Sequence, residues 1–252
     1  MSGLYIHIPF CKRICAYCDF FKSADLRSMP AAIEAMHREM DEESRFIDDH
    51  RLQSIYFGGG TPSLLHPDEL QRFIDQAARI FDVSRLGEIT VEVNPDDIDE
   101  KYASALRRTS VNRISMGIQS FDDRALRLMN RRHTGTQAER ALRLMRDAGF
   151  GNITADLIFG IDGFGDERIE SDIGRLLEIG IQHLSAYHLT IEPGTRFGRM
   201  AARGEFRAID EGQSEHEFRL VHRRLTEAGF EHYEVSNYAR DGYRSQHNSS
   251  YW

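Results

Sequence analysis

The chain has 252 residues, of which 40% are hydrophobic and 29% are charged, so it can build a sizeable core and is not compositionally disordered. Its formal net charge is -8 and its basic residues are interleaved with acidic ones, which excludes the basic surface expected of a nucleic-acid-binding protein. No apolar run approaches the roughly 18 residues that cross a bilayer, and the amino terminus lacks the features of a signal peptide. We therefore expect a cytoplasmic protein without a membrane span.

Short β-rich runs alternate with longer helical patterns over most of the chain. In chain order they are LYIHI, a helical pattern from PAAIEAM, SIYF, HPDELQRFIDQAARIF, EITVEV, DEKYASALRR, RISMGI, a helical stretch that ends near Asp147, NITADLIF, DERIESDIGRLLEI and HLSAYHL. This alternation predicts βα units on a parallel sheet. The six strands favour an α/β fold with a partial (βα)6 TIM-like barrel, and an open doubly wound sheet is the alternative.

The regular alternation of strands and helices changes near residue 200. We expect residues 1–200 to form the barrel core and residues 201–252 to form a short helical C-terminal extension, the start of a truncated C-terminal domain. The extension is predicted to contain one helix over residues 211–228, followed by a polar tail without a further strand and helix pair.

Polar, small or metal-binding residues stand at the carboxyl end of every predicted strand. In chain order they are the cysteine loop, Gly58–Thr61, Glu92 with Asn94, Gln119, Asp156, and His188 with Glu192. A (βα) barrel carries its chemistry at this end of its strands. The sequence therefore predicts one active-site face.

All three cysteines of the chain lie in CKRICAYC, residues 11–18, with the spacing C-x3-C-x2-C. Their clustering and odd number argue against disulfides. A structural zinc site and a ferredoxin cluster each take four protein ligands, so three thiolates leave one metal position open to a substrate or cofactor. The spacing favours an iron–sulfur cluster. A zinc site that also uses His7 and a set of inert buried thiols are the alternatives.

The cysteine motif, with an aromatic residue before its last cysteine, resembles the signature of the radical SAM superfamily. The preceding YIHIPFC narrows the resemblance to the oxygen-independent coproporphyrinogen III oxidase-like group and, within it, to the HemW-type haem chaperones. Further segments that agree are YFGGGTPSLL, VEVNPD, RISMGIQSF, NRRHT, TADLIFG, HLSAYHLTIEPGT and HYEVSNYA.

The resemblance implies a [4Fe-4S] cluster on Cys11, Cys15 and Cys18, with S-adenosylmethionine on the open iron. The positions that match the family's cofactor contacts are Tyr5, Tyr17, Gly59, Gly60, Thr61, Glu92, Gln119, Arg131 and Asp156. These residues have suitable chemistry, because carboxylates accept hydrogen bonds from ribose hydroxyls or an ammonium and an arginine fork can hold a carboxylate.

Two further features favour the chaperone branch. Phe20 stands where coproporphyrinogen dehydrogenases carry a fourth cysteine, and HNSSY at residues 247–251 resembles the H-N-x-x-Y haem motif. The motif implies His247 as an axial haem ligand with Tyr251 beside it. The resemblance as a whole implies a haem chaperone that receives electrons from a donor such as flavodoxin or ferredoxin and delivers haem to an acceptor protein.

Two other functions remain as alternatives at this point. One is an oxygen-independent coproporphyrinogen III dehydrogenase, which performs radical decarboxylation in porphyrin biosynthesis, and the other is a zinc-stabilised interaction module. The chain departs from the family in two places. IFGIDGFGDE lacks the proline that relatives commonly carry after IFG, and relatives continue past the position of Trp252 into a C-terminal domain, where part of the haem site is expected to lie.

Overall fold

A computed structural model describes residues 2–46 and 50–249 of the chain. Its strands are β1 (Gly3–Ile8), β2 (Ser54–Gly59), β3 (Glu88–Val93), β4 (Arg113–Gln119), β5 (Ile153–Phe159), β6 (His183–His188), β7 (Glu231–His232) and β8 (Asn237–Ala239). Its α-helices are α1 (Met29–Glu43), α2 (Pro67–Ile80), α3 (Glu100–Arg107), α4 (Asp123–Leu128), α5 (Gly135–Asp147), α6 (Asp166–Ile179), α7 (Arg196–Ala202), α8 (Glu211–Glu227) and α9 (Gln246–Ser249).

The eight strands form one sheet in the order β1-β2-β3-β4-β5-β6-β8-β7. The first six pair in parallel and in sequence order, whereas β8 pairs antiparallel with both β6 and β7. This arrangement confirms the predicted α/β fold with a partial (βα)6 barrel. Because all six parallel strands run in the same direction, their carboxyl ends meet at one face.

The main hydrophobic core lies between the parallel strands and the helices that connect them. Apolar side chains from β1 to β6 pack there against apolar faces of helices such as α2, α5 and α6. Local sequence sets the helix ends: Pro67 opens α2, and Gly180 closes α6 with a φ of 77°, which a residue without a Cβ adopts at little cost. The core therefore fixes the strands whose ends carry the predicted site.

Three short elements that the sequence did not predict follow α8: β7 and β8 precede the polar tail, and α9 lies within it. These elements have only two to four residues each, so they leave no periodic pattern in the sequence. The pairing of β8 with β6 and of β7 with β8 defines the two strands. Leu220, Val221 and Leu225 of α8 belong to the main core. The described part of residues 201–252 thus packs into the barrel unit, and a domain boundary at residue 200 stays a prediction.

Within the described residues, no helix combines the length and the apolar character needed to cross a membrane.

Candidate functional site

A cavity of about 460 Å³ opens at the carboxyl ends of the parallel strands. Eleven of the predicted site residues line it: Cys11, Cys15, Tyr17, Cys18, Gly59, Gly60, Thr61, Glu92, Gln119, Arg131 and Asp156. The structure therefore brings together residues that are up to 145 positions apart in the chain. Such a concave site with convergent polar groups is what a cofactor pocket requires.

The cysteine loop is held by contacts to two other parts of the chain. The backbone N–H of Ala16 donates to the carbonyl oxygen of Met129 (2.9 Å), and the carbonyl oxygen of Ala16 accepts from the N–H of Phe197 (2.8 Å). The Asn130 amide donates to the carbonyl oxygen of Ile14 (2.7 Å). Ala16 is also buried in a small hydrophobic cluster that includes Met129 and Phe197. These contacts fix the loop without using the cysteine side chains.

The three cysteines are free thiols, and each sulfur has a hydrogen-bond donor beside it. Thr61 Oγ1 donates to Cys11 Sγ (3.5 Å) and Arg131 Nη1 donates to Cys15 Sγ (3.3 Å), while the backbone N–H of Phe20 donates to the Cys18 thiol. Burial raises the pKa of the Cys11 and Cys18 thiols above its ordinary value. Three sulfurs that face one cavity with donors in place suit an iron–sulfur cluster, whose sulfurs take such hydrogen bonds.

His7, the fourth ligand in the zinc alternative, is engaged by groups other than the cysteines. Its Nδ1 is 3.0 Å from the Tyr5 hydroxyl, and its Nε2 is 2.9 Å from the carbonyl oxygen of Phe21. Among the residues that the structure describes, no three His, Cys, Asp or Glu side chains form a group suited to a single metal ion.

The glycine-rich loop after β2 brings backbone close to the cysteine loop. The N–H of Gly60 donates to the carbonyl oxygen of Ile8 (2.8 Å), and a Cβ at Gly60 would lie 2.8 Å from that oxygen and from the carbonyl oxygen of Phe10. Gly59 has a φ of 107°, in the region that favours glycine, and a Cβ there would overlap the His7 ring. Both positions therefore require glycine, as expected for a loop along which a ligand can contact backbone.

Two acidic side chains stand on the cavity wall in different environments. Glu92 accepts hydrogen bonds from the Tyr56 hydroxyl (2.8 Å) and the Gly59 N–H (3.1 Å), and burial raises its pKa. Burial and then the nearby Glu92 charge raise the pKa of Asp156 to about 7, although hydroxyl donors such as Ser115 oppose the shift. Carboxyls with raised pKa values in a cleft are typical of functional sites.

Arg131 links the cysteine loop to two strand ends. Its Nη2 donates to Asn94 Oδ1 (2.8 Å) and to the carbonyl oxygen of Gly117 (2.5 Å), in addition to the contact with Cys15. Its Nε is buried and has no hydrogen-bond partner among the described residues. A buried guanidinium with an unused donor is suited to the carboxylate of a ligand.

Gln119 ends β4 in an uncommon backbone conformation. Its φ is 64° and the pairing of β4 with β5 shifts register between Met116 and Gln119. A bulge of this kind re-aims a side chain at the end of a strand. It accounts for the placement of the Gln119 side chain on the cavity wall.

Several residues that shape the pocket were not predicted as cofactor contacts. Asn94 and Gly117 position Arg131, Ser115 contacts Asp156, and Tyr187 lines the cavity mouth. Asn94 stands at its strand end inside the matching segment VEVNPD, so that segment carries a usable signal. Serine and tyrosine within strands carry no comparable signal.

Tyr5 and His247 lie elsewhere among the described residues. Tyr5 stacks on Tyr56 with ring centroids 6.0 Å apart. His247, in α9, is buried with 4% exposure, and its Nδ1 is 3.0 Å from the Ser54 hydroxyl at the amino end of β2. The structure therefore places His247 at the end of the barrel opposite the cysteines. Tyr251 lies outside the described residues.

The chain is similar to known proteins over most of its length. The family model described as the radical SAM superfamily matches residues 5–176. The heme chaperone HemW of Lactococcus lactis is 38% identical over 251 residues, which are 100% of this chain and 65% of that protein. The heme chaperone HemW of Bacillus subtilis is 34% identical over 255 residues, which cover 100% of this chain and 67% of that protein.

A solved structure, described as coproporphyrinogen III oxidase (HemN) from Escherichia coli, a radical SAM enzyme, superposes with a TM-score of 0.82 at 25% identity, covering 95% of this chain and 56% of that chain. The chain thus spans about two thirds of the length of the curated relatives it matches, 65% and 67% in the two examples.

Proposed function

Because the chain belongs to the radical SAM superfamily and, within it, to the HemW-type group, we propose that it is a haem chaperone that binds a [4Fe-4S] cluster, S-adenosylmethionine and haem. Membership of the superfamily implies the cluster and S-adenosylmethionine. The assignment of residues to them, the binding of haem and its delivery to an acceptor protein are the proposal.

One observation carries the cofactor half of the proposal: three free thiols, each beside a donor, share one cavity with Glu92, Asp156 and Arg131. Cys11, Cys15 and Cys18 would hold the cluster, which when bound supplies single electrons to S-adenosylmethionine. Arg131 would bind a carboxylate through its fork. Glu92 and Asp156 would accept hydrogen bonds from an ammonium or from ribose hydroxyls, and the backbone of Gly59 and Gly60 allows close approach.

The haem half is supported by the names of the relatives and by the HNSSY segment. His247 is the proposed axial ligand, with Tyr251 beside it. Because the His247 ring is buried against Ser54, coordination of haem iron requires the segment around it to leave the barrel. The partners we propose are a one-electron donor such as flavodoxin or ferredoxin and an acceptor protein, in the cytoplasm, where thiols stay reduced.

The similarity to HemN supports a second candidate, coproporphyrinogen III dehydrogenase. Phe20 weighs against it, because it occupies the position of the fourth cysteine of those enzymes. Its ring is 68% exposed at the edge of the cavity. A side chain in that place can contact a flat apolar ligand but cannot supply a thiol.

The proposal is tested by anaerobic reconstitution with iron and sulfide. We expect close to four irons per chain, saturable binding of S-adenosylmethionine in equilibrium dialysis, and a Soret band on titration with haem. The three single changes Cys11→Ser, Cys15→Ser and Cys18→Ser should each abolish the cluster, because two thiolates are too few protein ligands.

Different results would contradict different parts of the proposal. Stoichiometric zinc without iron would refute the cluster and favour the interaction module. A loaded cluster without haem binding would refute the chaperone function. Conversion of coproporphyrinogen III to its decarboxylated product would replace the chaperone function with the enzyme.

A further inference from the structure

We propose that Tyr56 and His247 are positioning residues for S-adenosylmethionine, because their rings form a stack beneath the pocket that holds the Glu92 carboxylate. This inference rests on the proposed function, in which Glu92 contacts the cofactor. It gives the HNSSY segment a second role, as part of the support of the cofactor site.

Tyr56 connects the stack to the pocket. Its hydroxyl donates to Glu92 Oε1 (2.8 Å), and the other carboxylate oxygen accepts from the Gly59 N–H (3.1 Å). With one donor on each oxygen, the carboxylate plane is fixed relative to β2. Among the described residues, Tyr56 is thus the only side chain that forms a hydrogen bond with Glu92. A shift of the Tyr56 ring therefore moves the carboxylate.

The ring of His247 packs against the ring of Tyr56. The two ring centroids are 4.8 Å apart with 24° between the planes, which is a stacked contact. Tyr5 stacks on the same pair, 6.0 Å from Tyr56 and 6.2 Å from His247. The buried His247 ring and the Tyr56 ring therefore lie between the amino end of β2 and the cofactor pocket, with the partly exposed Tyr5 ring beside them.

The buried carboxylate of Glu88 holds the His247 segment in place. It accepts hydrogen bonds from the Ser245 hydroxyl (3.1 Å), the Gln246 N–H (2.9 Å) and the His247 N–H (3.1 Å). Arg113 lies 3.9 Å from the same carboxylate. A buried carboxylate with several donors fixes the backbone that bears His247, and the contact between Ser54 and Nδ1 holds the imidazole itself.

A small polar cavity shows that the segment and the cofactor site are adjacent. It has a volume of about 60 Å³ and is bordered by Ser245 and Asn248 on one side and by Tyr56, Glu92 and Asp156 on the other. The C-terminal segment therefore borders the same small cavity as the carboxylates of Glu92 and Asp156. Loss of the His247 ring, which lies between Ser245 and Asn248 in the chain, would leave one face of Tyr56 without its stacked partner.

The test is equilibrium dialysis of S-adenosylmethionine against the anaerobically reconstituted protein and its variants, at matched iron content. Tyr56→Phe keeps the ring and removes the hydroxyl, and we expect about tenfold weaker binding because the hydrogen bond is to a charged group. His247→Ala removes the stacked ring, and we expect about fivefold weaker binding. His247→Phe restores a stacking ring without an imidazole nitrogen and should return most of the affinity.

Two control variants separate positioning from general destabilisation. Tyr238→Phe makes the same change at a buried tyrosine whose hydroxyl has no hydrogen-bond partner among the described residues. His183→Ala removes another fully buried imidazole, which contacts the Tyr233 hydroxyl. Both controls should bind S-adenosylmethionine as the unchanged protein does.

The outcomes distinguish this inference from the proposed function. If the unchanged protein binds no S-adenosylmethionine, the cofactor proposal fails. If it binds, but Tyr56→Phe and His247→Ala bind equally well, the positioning role is refuted while the cofactor proposal stands. Failure of His247→Phe to restore affinity would also overturn the stacking argument, because the imidazole nitrogens and not the ring face would then be what matters.

Discussion

Replacing Asp156 with asparagine should stabilise the cofactor-free protein, and the gain should grow with pH. Burial raises the pKa of this carboxyl from 3.8 to about 7, and the Glu92 charge adds to the shift. Between these two values the folded protein binds more protons than the unfolded chain. The unchanged protein therefore loses stability as pH rises through this window, whereas asparagine has no charge to bury.

The size of the effect follows from the shift. One pKa unit corresponds to about 1.4 kcal/mol, so a carboxyl raised from 3.8 to about 7 sets an upper limit of about 4 kcal/mol at alkaline pH. Asp156 is half-buried at the cavity wall, and water in the open pocket reduces the cost of its charge. We expect a gain in the free energy of unfolding of about 1–2 kcal/mol above pH 8 and almost none near pH 4.

Urea unfolding of the cofactor-free protein, followed by circular dichroism at several pH values, measures this difference. Asp147→Asn, on the exposed surface of α5, is the matched control and should change stability little at any pH. The same Asp156→Asn change should weaken S-adenosylmethionine binding, since a functional carboxyl is commonly kept at a cost in stability. A difference that is absent, or that shrinks as pH rises, would refute the assignment of a buried, protonated carboxyl.

Three further outcomes are expected. Gly60→Ala should lower the iron content of the reconstituted protein by more than half, because its Cβ would lie 2.8 Å from two carbonyl oxygens. The control Gly151→Ala adds a Cβ in open space and should not lower it, so equal iron contents in the two variants would contradict this prediction. Arg131→Lys should weaken S-adenosylmethionine binding about tenfold in dialysis, because lysine lacks the forked pair of donors of a guanidinium. Arg140→Lys on the surface should have no effect, and similar affinities of the two variants would argue against a contact between Arg131 and a carboxylate. With Phe20 in place of a cysteine, the reconstituted protein should not convert coproporphyrinogen III, as product analysis by chromatography can check, and sustained turnover would restore the enzyme assignment.

The barrel, and the meeting of most of the candidate residues in one cavity, were predictable from the sequence because both depend on local patterns and one topological rule. Strand-forming runs followed by helices predicted six parallel strands, and parallel strands bring their carboxyl ends to one face. Residues at those ends, such as Glu92 and Asp156, therefore had to meet in space. No comparable rule applies to the hydrogen bonds between them, so the link from Arg131 to Asn94 and Gly117 became visible only in the structure.

The burial of His247 could not be predicted from its motif. The motif predicts an axial haem ligand and carries no information on whether the ring is buried. Within the polar tail His247 is buried through long-range contacts with Glu88 and Ser54, which lie 159 and 193 positions away. Neither contact has a local sequence signature.

The placement of His247 also constrains how the two proposed ligands act together. The same ring cannot lie against Tyr56 and coordinate haem iron, because both contacts need the ring in different places. If His247 is the haem ligand, the conformation that binds haem is one in which the Tyr56 hydroxyl and Glu92 have lost their support, so it binds S-adenosylmethionine more weakly. Linkage then requires that each ligand weakens the other by the same factor. A single histidine at the amino end of the barrel would thus make haem capture and cofactor binding alternate. The contacts of the His247 segment with Glu88, Ser54 and Tyr56 would contribute to the free-energy difference between the two states.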